Sequence, residues 1–76
     1  MTTQIIDFEM TNEGALYMIR PMTPEAVAHA DEFYADALRF GGAIAVDHRY
    51  AASNAEFLMQ DGFTVSLDGQ ELALRE

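Results

Sequence analysis

Residues 4 to 10, QIIDFEM, alternate so that Ile6, Phe8 and Met10 fall on one side and Ile5, Asp7 and Glu9 on the other, the two-residue period of a half-buried strand. The turn-forming run Thr11-Asn12-Glu13-Gly14 follows, and residues 15 to 20, ALYMIR, supply a returning strand. With Asn12 and Glu13 at the tip, the predicted hairpin sets Phe8 opposite Tyr17 and Ile6 opposite Ile19. Pro21 stops the second strand. Thr23-Pro24-Glu25 then reads as a helix start, with a hydroxyl N-cap, a proline where its missing N–H costs nothing and an acid in the first turn. Over residues 24 to about 39, steps of 100° place Val27, Ala30, Phe33, Tyr34, Ala37 and Leu38 on one side and Glu25, His29, Glu32, Asp36 and Arg39 on the other. The apolar side is the expected core face, so truncating Phe33 to alanine is expected to cost about 3 to 5 kcal/mol. Gly41-Gly42 predicts the end of that helix, since glycine readily takes the left-handed conformation after a last turn.

The stretch RFGGAIAVDHRY, residues 39 to 50, joins the two halves of the chain. Its apolar run AIAVD is too short for a helix and reads as a strand covered on both faces or nearly so, the expected centre of the sheet. A second helix is predicted over residues 51 to 60, with Phe57 and Leu58 as its clearest apolar contacts and Asp61-Gly62 closing it. Residues 63 to 67 and 70 to 74 predict a closing hairpin around Asp68-Gly69, a dipeptide that suits a two-residue primed turn. That turn sets Val65 opposite Leu72 and Phe63 opposite Leu74. The order ββαβαββ predicts one α+β domain over residues 1 to 76, with both helices packed on one face of a largely antiparallel five-stranded sheet. The order of strands within the sheet does not follow from the pattern.

Composition bounds what such a domain does. At 76 residues, half of them apolar, the chain can form a core yet is small enough that association would help to stabilise it. Thirteen carboxylates face four basic residues, Arg20, Arg39, Arg49 and Arg75, for a net charge of −9. This balance repels DNA, RNA and anionic lipid and steers the protein towards basic surfaces. It equally serves solubility. The absence of cysteine rules out disulfides and thiolate metal sites and fits a reducing compartment. Neither a membrane span nor a signal peptide is expected, because no 18 consecutive residues are apolar and the first ten lack a basic region. The expected location is the cytoplasm.

Catalytic signatures are not found. Ser53 and Ser66 have no nucleophile-elbow motif around them. A triad assembled from Ser53, His48 and Asp47 needs neighbouring strand residues that point to opposite faces. His29 with Glu25 or Glu32 has helical spacing for a metal, but one imidazole among carboxylates is more simply a wet helix face. Gly41-Gly42 follows a helix instead of preceding one, so no phosphate loop is formed. No cofactor and no metal are expected, and the scattered arginines argue against direct nucleic-acid binding. Two groups remain as a candidate partner-binding surface. The first is the stripe Glu25, His29, Glu32 and Asp36, whose members recur on successive turns about 5 to 6 Å apart along the axis, not far from the 3.4 Å rise per phosphate of one DNA strand. The second is Arg49 and Tyr50, residue types that often dominate interfaces. The alternative for the second pair is structural, with Arg49 held by Asp47 or Asp61 and Tyr50 in the core.

Glu13-Gly14-Ala15-Leu16, Arg20-Pro21-Met22-Thr23-Pro24, Gly41-Gly42-Ala43-Ile44-Ala45-Val46 with Arg49-Tyr50, and Asp61-Gly62-Phe63 resemble a group of small phage and prophage proteins of proteobacteria. The similarity covers roughly residues 13 to 63, and its motifs are structural punctuation. In size, charge and implied origin the chain is similar in general character to anti-CRISPR proteins, an analogy that implies stoichiometric binding to a CRISPR effector and no catalysis. The expected function is therefore a small acidic inhibitor of a host nucleic-acid-handling complex, acting on a basic surface that otherwise receives target DNA. The alternative is a non-enzymatic phage accessory or structural module, homodimeric through an apolar face.

Overall fold

The computed structural model describes residues 5 to 72. The first hairpin joins β1 (Phe8–Asn12) to β2 (Leu16–Pro21). Phe8 and Met10 of β1 and Ile19 of β2 are buried, as the alternation predicts. The register is not the predicted one. Phe8 faces Pro21 instead of Tyr17, and Ile19 faces Met10 instead of Ile6. The tip lies at Gly14-Ala15, because the Asn12 side-chain oxygen accepts the Gly14 N–H (2.9 Å) and the Glu13 N–H donates to the Leu16 carbonyl (2.9 Å). Asn12 is thereby kept in the strand. The displacement is an even number of positions, so the inward set survives it.

Thr23 caps α1 (Pro24–Phe33): its hydroxyl oxygen accepts the Ala26 N–H (3.1 Å). The helix stops at Phe33, well short of residue 39. Tyr34 leaves helical geometry at φ −122°, and its half-buried hydroxyl, its pKa raised by desolvation, donates to Asn54 Oδ1 (2.6 Å). Arg39 turns back to donate to the Ala30 carbonyl (3.2 Å) and to Asp31 (3.3 Å). The shorter helix is also rotated relative to the expected one. Ala26 and Ala30 are its buried residues, while Val27 and Phe33 are exposed. The two alanines let the helix axis approach the sheet closely, and the bulkier neighbours are turned outwards.

The chain freed by the early stop forms a strand absent from the prediction, β3 (Arg39–Phe40), which pairs antiparallel with β4 (Ala43–Asp47). Gly41-Gly42 is thus a hairpin turn and not a helix stop. Gly41 at φ 61° occupies the first central position, where a primed turn favours glycine. A single 3₁₀ turn (His48–Tyr50) leads into α2 (Ala51–Gln60), whose bounds are those predicted. The chain closes with β5 (Val65–Leu67) and β6 (Gln70–Glu71). Asp68 and Gly69 both have positive φ, 49° and 90°, and Ser66 faces Glu71 while Leu72 donates to the Val65 carbonyl (2.8 Å). This is the predicted primed turn and register. The Phe63–Leu74 pairing lies outside the described residues.

The sheet has six strands in the order β3-β4-β2-β1-β5-β6. It is mixed, not wholly antiparallel, because β1 and β5 pair in parallel, Phe8 with Val65 and Met10 with Leu67. β4 is consequently second from one edge, and β2 and β1 hold the centre. Both helices cover one face: Ala26, Ala30, Ala51, Ala55 and Leu58 pack with Phe8, Met10, Ile19, Ile44 and Val65. Strand alternation puts Leu16, Met18, Phe40 and Ala45 on the other face. Asp7 ties the layers together. Its carboxylate accepts the Thr23 hydroxyl (2.9 Å) and the Thr64 N–H (2.9 Å), while the Thr64 carbonyl accepts the N–H groups of Asp7 and Phe8 (2.9 and 3.0 Å). No helix among the described residues is long and apolar enough to cross a membrane.

Candidate functional site

The predicted stripe on α1 is divided. Glu25 and Glu32 are exposed on the helix, and Asp36 is exposed in the turn that follows it. His29 is not part of that surface. Its side chain is only 10 % exposed, because the rotation of α1 directs position 29 towards α2. The ring sits among four phenylalanines, with centroids 4.5 Å from Phe33, 4.8 Å from Phe63, 5.8 Å from Phe57 and 6.2 Å from Phe8. Its Nε2 is buried without a hydrogen-bond partner. The nearest carboxylate oxygen, Asp61 Oδ2, stands at 3.6 Å, beyond hydrogen-bonding distance.

This cluster is built from two helical i, i+4 pairs. His29 and Phe33 are one turn apart on α1. Phe57 stands four positions before Asp61, which caps α2. Residues so spaced share a helix face, and the two helices bring the pairs together, with the Phe33 and Phe57 rings 5.8 Å apart at 70°. Phe63 supports the cluster from below and meets Phe8 edge-on at 5.2 Å. The helical pattern assigns Phe33 to the core and His29 to solvent, and it gives Asp61 the task of closing a helix or pairing Arg49, not of bordering an aromatic cluster. The spacings His29-Phe33 and Phe57-Asp61 were the signal that could have found the cluster.

Arg49 and Tyr50 lie apart from these residues, in the 3₁₀ turn after β4. Asp47 accepts the Arg49 backbone N–H (2.9 Å) and both Nε and Nη2 of its guanidinium (3.1 and 3.2 Å). Arg49 is therefore paired in the way its structural reading anticipated. Tyr50 is not in the core: it is 57 % exposed, with the guanidinium carbon 5.6 Å from its ring centroid. The side-chain bonds from Arg49, followed by its backbone N–H, hold the Asp47 carboxyl below the usual carboxylate range. Since the folded-state value is the lower one, the stabilisation from this pair is present at neutral pH and lost as pH falls through the depressed value. Arg49→Gln removes the charge but leaves the backbone donor. The Asp47 midpoint, followed by NMR of its carboxyl carbon, is expected to rise part of the way to the ordinary value.

Among the described residues no group of three or more His, Cys, Asp and Glu side chains is placed to hold a metal ion. Ser53 is exposed on α2 and Ser66 is buried in β5, so the two serines lie on separate elements. Ion pairing distributes the acids unequally. Asp31 and Asp47 are paired with Arg39 and Arg49, whereas Glu25, Glu32 and Asp36 have no cationic partner among the described residues. Comparison of the chain with protein-family models, with curated proteins and with solved structures gave no significant match.

Proposed function

We propose that this chain is a protein-binding inhibitor of a nucleic-acid-handling complex, of the kind phages encode against CRISPR effectors, and that it acts by occupying a basic surface. The observation that carries this reading is the set of uncompensated acids on the helical layer. Glu25, Glu32 and Asp36 face solvent without a counter-charge among the described residues, while Arg39 is engaged by Asp31 and Arg49 by Asp47. Glu25 and Glu32 stand about 10 Å apart along the helix axis, a span of roughly three phosphate steps of one DNA strand. A groove lined with lysine and arginine would accept such a face in place of a backbone. The protein is then a stoichiometric ligand and not an enzyme.

The test is capture from host lysate at low and at high ionic strength. The expected result is a DNA- or RNA-binding complex retained only at low ionic strength, released by added DNA, and lost with the combined substitution Glu25→Lys, Glu32→Lys and Asp36→Lys. Retention that ignores both salt and the three lysines would overturn the reading. A second reading rests on the uncovered face of the sheet, where Leu16 and Phe40 are exposed: a homodimeric accessory module whose charge serves solubility. Light scattering decides it, since a dimer that persists in high salt and becomes monomeric with Phe40→Glu would favour this second reading.

A further inference from the structure

The four residues that α1 and α2 bring together combine features that neither an acidic face nor a core requires. Phe33 and Phe57 are large and apolar, yet 54 % and 40 % exposed. Their rings meet edge-on at 5.8 Å, so one presents a face where the other presents an edge. Asp61, 42 % exposed at its side chain, borders the same cluster. Beneath them His29 is nine-tenths buried, and its Nε2 lacks a hydrogen-bond partner, an arrangement that is costly for a buried polar group. A ring face, a ring edge, a carboxylate and an unsatisfied nitrogen in one notch call for an occupant that is flat, cationic and rich in N–H donors.

We infer that this notch receives an arginine side chain from the partner. A guanidinium is weakly hydrated and planar, so it stacks on aromatic faces, and its fork of donors pairs with a carboxylate. Stacked on the one ring face and bordered by the other ring's edge, it donates to Asp61. With the Asp61 side chain swung out from its place 3.6 Å from His29, a further N–H reaches the Nε2 lone pair. A lysine ammonium satisfies the carboxylate but neither stacks as well nor spans both acceptors. The inference rests on the proposed docking to a basic surface and adds a specific residue to it: the surrounding acids supply long-range attraction, and the notch supplies selection of arginine over lysine.

The experiment is a calorimetric and NMR titration of the intact protein with hexa-arginine and hexa-lysine peptides at one ionic strength, with a hexa-citrulline peptide as the uncharged control. The expected result is tighter binding of the arginine peptide by about two- to fivefold, with shifts in the ring protons of Phe33 and Phe57. That preference should disappear in Phe33→Leu and in Asp61→Asn. Phe33→Leu alters a half-exposed side chain, and spectral dispersion verifies that each variant remains folded. Equal, salt-sensitive binding of both basic peptides would overturn the notch and leave the acidic docking surface intact. A preference for arginine that survives both substitutions would also overturn it, since the selecting site would lie elsewhere. Failure to bind either basic peptide would overturn the notch and the docking surface together.

Discussion

Phe8→Ala is expected to destabilise the protein by about 3 to 5 kcal/mol, the largest effect of any single substitution considered. Phe8 is fully buried in the central strand. It pairs with Val65 across the parallel ladder and meets Phe63 and His29 edge-on. Removing the ring opens a cavity bounded by the sheet on one side and by α1 on the other, and neither can collapse into it without moving the other. Phe33→Ala, by contrast, should cost about 1 kcal/mol, because only around half of the transfer free energy of a buried phenylalanine is at stake. Denaturant unfolding of the two variants, with comparable m-values, measures the difference directly. Equal losses would mean that α1 presents Phe33 and not Ala26 and Ala30 to the sheet.

Asp7→Ala should follow with a loss of about 3 kcal/mol, since hydrogen bonds to a charged group are worth roughly 1.5 to 3 kcal/mol each and are not fully additive. The carboxylate holds the Thr23 hydroxyl and the Thr64 N–H. It therefore links the approach to β1, the cap of α1 and the approach to β5. Thr23 is at the same time accepting the Ala26 N–H, so releasing its hydroxyl loosens the first turn of the helix as well. Asp7→Asn retains one acceptor and is expected to lose about half as much. Hydrogen exchange at the Thr64 amide, which the Asp7 carboxylate protects, should accelerate in both. A loss below about 1 kcal/mol for the alanine variant would show that water replaces the carboxylate at both positions.

Much of this fold is legible from short-range chemistry. The Asp68-Gly69 turn fixes both its own geometry and its register, because a two-residue primed turn leaves one alignment of the flanking strands. α2 is bounded by Tyr50 and Asp61, as the chain pattern implies, and AIAVD is a strand as it reads, though second from one edge and not the centre of the sheet. The first hairpin is half legible. Alternation identifies Phe8, Met10 and Ile19 as inward, but the tip depends on whether Asn12 stays in the strand, and that is settled by its side-chain bond to Gly14 and by a bond from its N–H to Asp68 (3.2 Å).

The failures lie where distant parts of the chain compete with local preference. Residues 34 to 39 continue a helical pattern, yet Tyr34 is engaged by Asn54 and Arg39 by Asp31, partners that helical periodicity does not reveal. Once the helix ends early, two glycines that resemble a stop become a hairpin, and a sixth strand appears. His29 was misplaced for a related reason. A polar residue three or four positions from acids looks like one of a solvated stripe, and only the phenylalanines of other elements, Phe8, Phe57 and Phe63, disclose that its position faces inwards. The acids Glu25, Glu32 and Asp36 were recognisable as exposed from charge alone, whereas the notch between the helices required the pairing of two elements.

The parallel ladder between β1 and β5 also bears on the order in which the chain becomes safe. During synthesis β1 and β2 emerge first, but the second neighbour of β1 comes from the far end, its Asp7–Thr64 tether closing across 57 residues. Until then the strand that will be central is an unprotected edge with a row of unpaired N–H and C=O groups, the template on which edge-to-edge aggregation begins. Loop closure over that distance is among the slower steps available to so short a chain. A nascent or nicked molecule ending before Thr64 is consequently not a smaller version of the same domain: it exposes the middle of its own sheet.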